Sequence, residues 1–209
     1  MDNKIKLAIA GSASLLALGI ISAGAYAYFT DAKESANTFT VGDVNIALTE
    51  TAFDSKAYTA LVPNQEIKKN PVVTNTGNTS AFIKVDVLIP YSENGYSIIS
   101  NGNDETTHEL FKYTVNSGWE QYGTEEIVSG EDDNQNQYLK KEYVYQDALP
   151  PGQSAPAVFN SVFLQNIADG QEVCGESFEL PIVAHAIQAK GLTVETAFAE
   201  YEHQTSETV

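Results

Sequence analysis

Between Ala81 and Pro90 the side chains change character at every step: Ile83, Val85, Val87 and Ile89 fall on one side, Lys84 and Asp86 on the other. Successive side chains of an extended chain point to opposite faces, so this is the pattern of a half-buried strand; a helix would spread the same residues around its axis. Pro90 is expected to end the strand, since it has no N–H to give to a ladder. After residue 27 no stretch carries an equally long helical period. The chain is committed to β-structure.

The remaining segments agree. Phe39 and Val41 share one face, and Val44, Ile46 and Leu48 share another, with the change of parity across Gly42-Asp43 predicting a bulge or kink. Ala57 to Val62 is a short apolar piece, Pro63 to Asn70 is polar, Val72-Val73-Thr74 is a strand fragment and Asn75-Thr76-Gly77-Asn78 a turn. Residues 91–137 are rich in Asn, Gly, Ser and acids and read as a variable, loop-rich insertion. It holds turn dipeptides at Asn94-Gly95 and Asn101-Gly102, short strands at Leu110–Val115 and Trp119–Tyr122, and Glu125-Glu126 in a surface loop. Tyr138 to Tyr145 is a strand with Leu139, Tyr143 and Tyr145 together; Pro150-Pro151-Gly152 breaks the chain; Val158 to Leu164 is a further strand. From Phe178 to Ile187 both faces are apolar, which predicts a strand that is central or covered on both sides. Thr193 then caps a short helix over 194–201, with Glu195 in its first turn and Ala197, Phe198 and Tyr201 on its apolar side. Closely spaced strands joined by Gly, Pro and Asn turns indicate an all-β, antiparallel β-sandwich with long loops and a short C-terminal helix.

The net charge narrows the partners. The chain carries 28 acidic residues against 11 lysines and no arginine, a formal charge of −17. Such a surface repels phosphate backbones and anionic lipid, so nucleic acid is not a partner. One cysteine, Cys174, rules out an internal disulfide framework and reads as a small apolar residue.

The N-terminus is an export signal. Lys4 and Lys6 precede an uncharged apolar run from Leu7 to Ile21, and Ala25-Tyr26-Ala27 places small residues where a signal peptidase reads. Cleavage between Ala27 and Tyr28 leaves a single domain over residues 28–209, with a charge of −18. The chain then meets the membrane only during export and ends up secreted, in an extracellular matrix or on a cell surface. The rival reading is an uncleaved anchor, for which Leu7 to Phe29 is nearly long enough.

Here a family resemblance enters. Gly24-Ala25-Tyr26-Ala27-Tyr28-Phe29-Thr30-Asp31, followed by Thr38-Phe39-Thr40-Val41-Gly42-Asp43-Val44, resembles the start of the TasA and camelysin family, Gram-positive proteins exported with a SipW-type signal peptidase. The similarity continues from Pro63 to Asn78 and resumes from Ala184 to Gly191, leaving roughly 91–147 unmatched. It implies a jelly-roll-like sandwich and a matrix or cell-surface fibre subunit of a biofilm. It also brings the label of metallo-endopeptidase that camelysin relatives carry.

The residues themselves carry little catalytic signal. His108, His185 and His203 stand singly, with no H-E-x-x-H pattern, and His185 reads as a packed ring between Val183 and Ile187. There is no G-x-S-x-G, and Cys174 has no histidine in recognisable register. No catalytic or metal residue is assigned; zinc could enter only through distant carboxylates, and calcium only at Glu131-Asp132-Asp133-Asn134, which lacks an EF-hand pattern. A third reading, a binding module for polysaccharide or host protein, would use the Tyr-rich loops and Trp119.

The pattern supports a backbone mechanism better. Residues 28–43 form an N-terminal extension whose Phe29, Phe39 and Val41 are apolar anchors. Such a strand can fill a gap in a neighbouring copy, and head-to-tail addition of this kind propagates into a fibre. The extension folding back as the domain's own edge strand is the alternative.

Overall fold

The computed structural model describes residues 43–54, 61–130, 136–168 and 178–199, within one compact unit. Its spine is β4 (Ala81–Ser100). The first half of β4 lies between β10 (Ile182–Gln188) and β8 (Gln137–Tyr145), with β7 (Trp119–Ser129) beyond β8, all antiparallel. The second half turns back at Asn101-Gly102 into β5 (Asn103–Glu109); both turn residues have positive φ, +50° and +81°, as a tight hairpin turn requires. A second sheet has the order β2 (Glu66–Lys68), β9 (Ser161–Leu164), β6 (Phe111–Tyr113), and β1 (Ile46–Thr49) pairs with β3 (Val72–Asn75). A short helix, α1, covers 194–199. The fold is all-β and antiparallel with one short C-terminal helix, as expected.

The alternation in β4 decides which face is inside. Ile83, Val85, Val87 and Ile89 have no exposed surface and join Val73, Phe111, Tyr143, Phe159 and Val162 in the main core between the sheets. Each such side chain contributes about 1.5–3 kcal/mol by leaving water. On the other face of β4, Phe82 joins Val144, Val194, Ala197 and Phe198 in a second, smaller cluster under α1. The helix presents Val194, Ala197 and Phe198, one face at i, i+3 and i+4, and Thr193 caps it: its Oγ1 accepts from Thr196 N at 3.4 Å.

Several expectations need correction. Pro90 does not stop β4. Leu88 N reaches Pro181 O, so two residues further the missing N–H of Pro90 points past the end of β10, where no ladder bond is lost, while its carbonyl accepts from Leu110 N. The region 91–137 is largely strand, containing the rest of β4 with β5, β6 and β7, because backbone pairing tolerates polar side chains on exposed faces. Asn94-Gly95 is an irregularity inside β4, where register shifts between Tyr91 and Tyr96, and is not a turn. Glu125 and Glu126 lie in β7 and not in a loop. The polar Pro63–Asn70 segment contains β2, anchored by the buried Ile67. Most consequentially, among the described residues β10 pairs only with β4 and stands at the edge of the sheet: its inner residues face the core, but Val183 on its outer face stays 44% exposed.

The turn at residues 75–78 has a packing reason. Asn75 is buried, its Nδ2 donating to Thr79 O and Leu149 O and its Oδ1 accepting from Gly77 N. A Cβ on Gly77 would stand 2.3 Å from Asp43 O, so the turn needs glycine to let the entry of β1 lie against it.

Candidate functional site on the large sheet

The outer face of the large sheet carries a polar cleft of about 860 Å³ beside α1. Register creates it. Asp86 stands opposite both Glu142 of β8 and Val183 of β10, His185 stands opposite Lys84, and Lys140 lies two residues along β8. The far wall is the β7 bulge between Tyr122 and Glu126, whose residues Gly123, Thr124 and Glu125 line the opening.

The charges in it are tightly organised. Lys84 Nζ donates to Glu142 Oε1 at 2.6 Å, with side chains only 5% and 11% exposed. The same ammonium lies 5.5 Å from the Tyr122 ring centre and 6.0 Å from that of Phe198. His185 Nε2 meets Asp86 Oδ2 at 2.9 Å, whereas Asp86 Oδ1 is buried with no hydrogen-bond partner among the described residues. Lys140 pairs with Glu126 at 3.0 Å and lies 3.6 Å from Glu142. Burial works against the Lys140 charge, but the hydrogen bond to Glu126 and the field of Glu142 win, so its ammonium is held above the ordinary lysine range. On the inner side of β8, Tyr113 and Tyr143 bond through their hydroxyls at 3.0 Å, and burial pushes both phenols up.

The two edges of this sheet differ. Pro181 O and Ala189 N bond to β4, so the even-numbered residues between them turn their backbone groups outward. Among the described residues nothing bonds those outward groups on Ile182, Ala184, Ala186 and Gln188. The β10 edge carries no lysine or glutamate, whereas β7 carries Glu120, Glu125 and Glu126 and a bulge. Strand β1, which continues the N-terminal segment into the fold, runs next to β10.

The sequence-assigned site residues divide as follows. Ala25, Ala27 and Tyr28 of the cleavage site and Phe29, Phe39 and Val41 of the assembly strand lie outside the described residues, as do Cys174, His203 and the acidic segment 131–134. His185 is not a packed apolar ring: it is paired with Asp86 in the cleft, because β4 sets an acid beside it. His108 stacks on Tyr91 at 5.5 Å, with its Nδ1 2.8 Å from Ser92 O. Trp119 is no loop contact; it is buried, its Nε1 donating to Pro156 O at 2.9 Å. The Lys84–Glu142 pair has no signature in the sequence beyond the polar alternation of Lys84 and Asp86, because it joins two strands across 58 residues of chain.

Among the described residues, no three His, Cys, Asp or Glu side chains converge to hold a metal ion. His185 and Asp86 supply two such groups, but Glu142 is engaged by Lys84, so the described residues do not fit a zinc centre. No helix among them is long and apolar enough to cross a membrane. No curated protein matches the chain. A family profile described as camelysin metallo-endopeptidase matches residues 1–193, ending one residue before α1. The chain belongs to the TasA and camelysin family of cell-surface proteins.

Proposed function

We propose that this protein is a secreted matrix or cell-surface fibre subunit. After export and cleavage behind Ala27 by a SipW-type signal peptidase, residues 28–43 of one copy would add to the open edge of β10 in the next. The observation that carries the reading is that edge: a row of outward backbone groups on Ile182, Ala184, Ala186 and Gln188, without the charges that protect β7. Ala184 and Ala186 are small on the core side, which leaves room for the alternate side chains of an added strand such as Phe39 and Val41. Because the donor segment and the acceptor edge are different surfaces, the contact is head-to-tail and does not close.

The test is electron microscopy of residues 28–209 at neutral and mildly acidic pH. Protonation of carboxylates relieves the self-repulsion of an acidic chain, so thin filaments are expected first in acid. Deleting residues 28–36 should abolish them. Filaments that form equally well without those residues, or monomers at both pH values, overturn the proposal.

A further inference from the structure

We infer that Lys84 and Glu142 are the two ends of an intramolecular amide cross-link between β4 and β8. The cleft holds a buried nucleophilic group that strand addition does not use. The Lys84 amine lies 2.6 Å from a carboxylate oxygen of Glu142, and both side chains are almost fully withdrawn from water. A buried ion pair is costly to desolvate, and transferring the proton within it leaves a neutral amine beside a neutral carboxylic acid, the reactants for amide formation. Tyr122 and Phe198 wall the amine with rings at 5.5 and 6.0 Å, lowering the local polarity around it.

A proton carrier stands on the same face. Asp86 is directly opposite Glu142 in the β4–β8 register. One of its oxygens is fixed by His185 at 2.9 Å; the other is buried and has no donor among the described residues. In the step, the nitrogen of Lys84 attacks the side-chain carboxyl carbon of Glu142. One C–N bond forms and one C–O bond breaks. The proton lost by nitrogen passes by way of Asp86 to the departing hydroxyl, which leaves as water into the cleft. Nothing is oxidised or reduced, and the product is a secondary amide. His185 serves as a positioning residue for Asp86. The bond would tie positions 58 residues apart along the chain across the two central strands of the large sheet.

The experiment is mass spectrometry of the full exported chain, denatured and compared with its Lys84→Arg variant. The wild-type mass should fall short of its sequence by one water, trypsin should fail to cut after Lys84, and a branched peptide joining the Lys84 and Glu142 segments should appear; the variant should show none of these. Glu142→Gln should yield the same branched peptide with loss of ammonia in place of water. Asp86→Asn should slow its formation at least tenfold in freshly made protein, with circular dichroism confirming the fold. A wild-type mass equal to the sequence, with normal cleavage after Lys84, overturns the cross-link. An unchanged rate in folded Asp86→Asn overturns the role of Asp86.

Discussion

The two edges of the large sheet solve the problem of an unpaired ladder in opposite ways. Strand β7 is eleven residues long, bulged between Tyr122 and Glu126, and lined with exposed glutamates, so another strand meets both a kink and like charge. Strand β10 is seven residues long, pairs with β4 without a register shift, and has outward backbone groups on Ile182, Ala184, Ala186 and Gln188. Among the described residues one edge is thus guarded and the other is not, and the proposed strand addition rests on that contrast. The two also differ beneath: β10 contributes His185, which pairs with Asp86 of β4, whereas β7 closes over the buried Lys84–Glu142 pair.

The largest effect expected in either half is on stability. Glu142→Ala removes the carboxylate 2.6 Å from the Lys84 ammonium, whose side chain is 5% exposed, and the loss should be about 3–5 kcal/mol in denaturant melts wherever the two side chains remain an ion pair. If the amide forms, the variant loses the cross-link as well. Next comes Ala184→Pro. The N–H of Ala184 points away from β4, so proline there should leave the monomer fold nearly intact yet remove a donor from the added strand, abolishing filaments by electron microscopy. Retained filaments would show that β10 is not the acceptor. The matched change Glu126→Gln on β7 should alter stability by about 1 kcal/mol or less, because that carboxylate is 62% exposed, and should leave assembly unaffected.

A smaller, pH-resolved effect sharpens the contrast between buried and exposed groups. Burial raises the phenols of Tyr113 and Tyr143 above their ordinary value of 10.0. Above about pH 10 the unfolded chain releases those protons while the folded chain keeps them. Stability is therefore full below that pH and falls as pH rises beyond it. Lys140 and Lys141, also raised, add to the same alkaline loss. Tyr113→Phe should flatten the decline in thermal melts between neutral and strongly alkaline pH; an unchanged profile would mean that the buried hydroxyl pair does not set it.

What was legible in the sequence is the local pattern. The alternation of Ile83 to Ile89 fixed the inner face of β4, Leu139 to Tyr145 did the same for β8, and Thr193 with Phe198 announced a capped helix, because each depends on residues a few positions apart. Tertiary structure decided the rest. Whether an apolar strand such as β10 sits at the centre or the edge depends on which strands remain to pair with it, and hydropathy does not count neighbours. Polar residues of 91–109 became a β-hairpin because backbone bonds are made regardless of side-chain polarity. His185 meets Asp86, and Lys84 meets Glu142, only through antiparallel register, which joins positions 99 and 58 residues apart. Pairing across a sheet is a property of the assembled ladder, and no short window of sequence contains it.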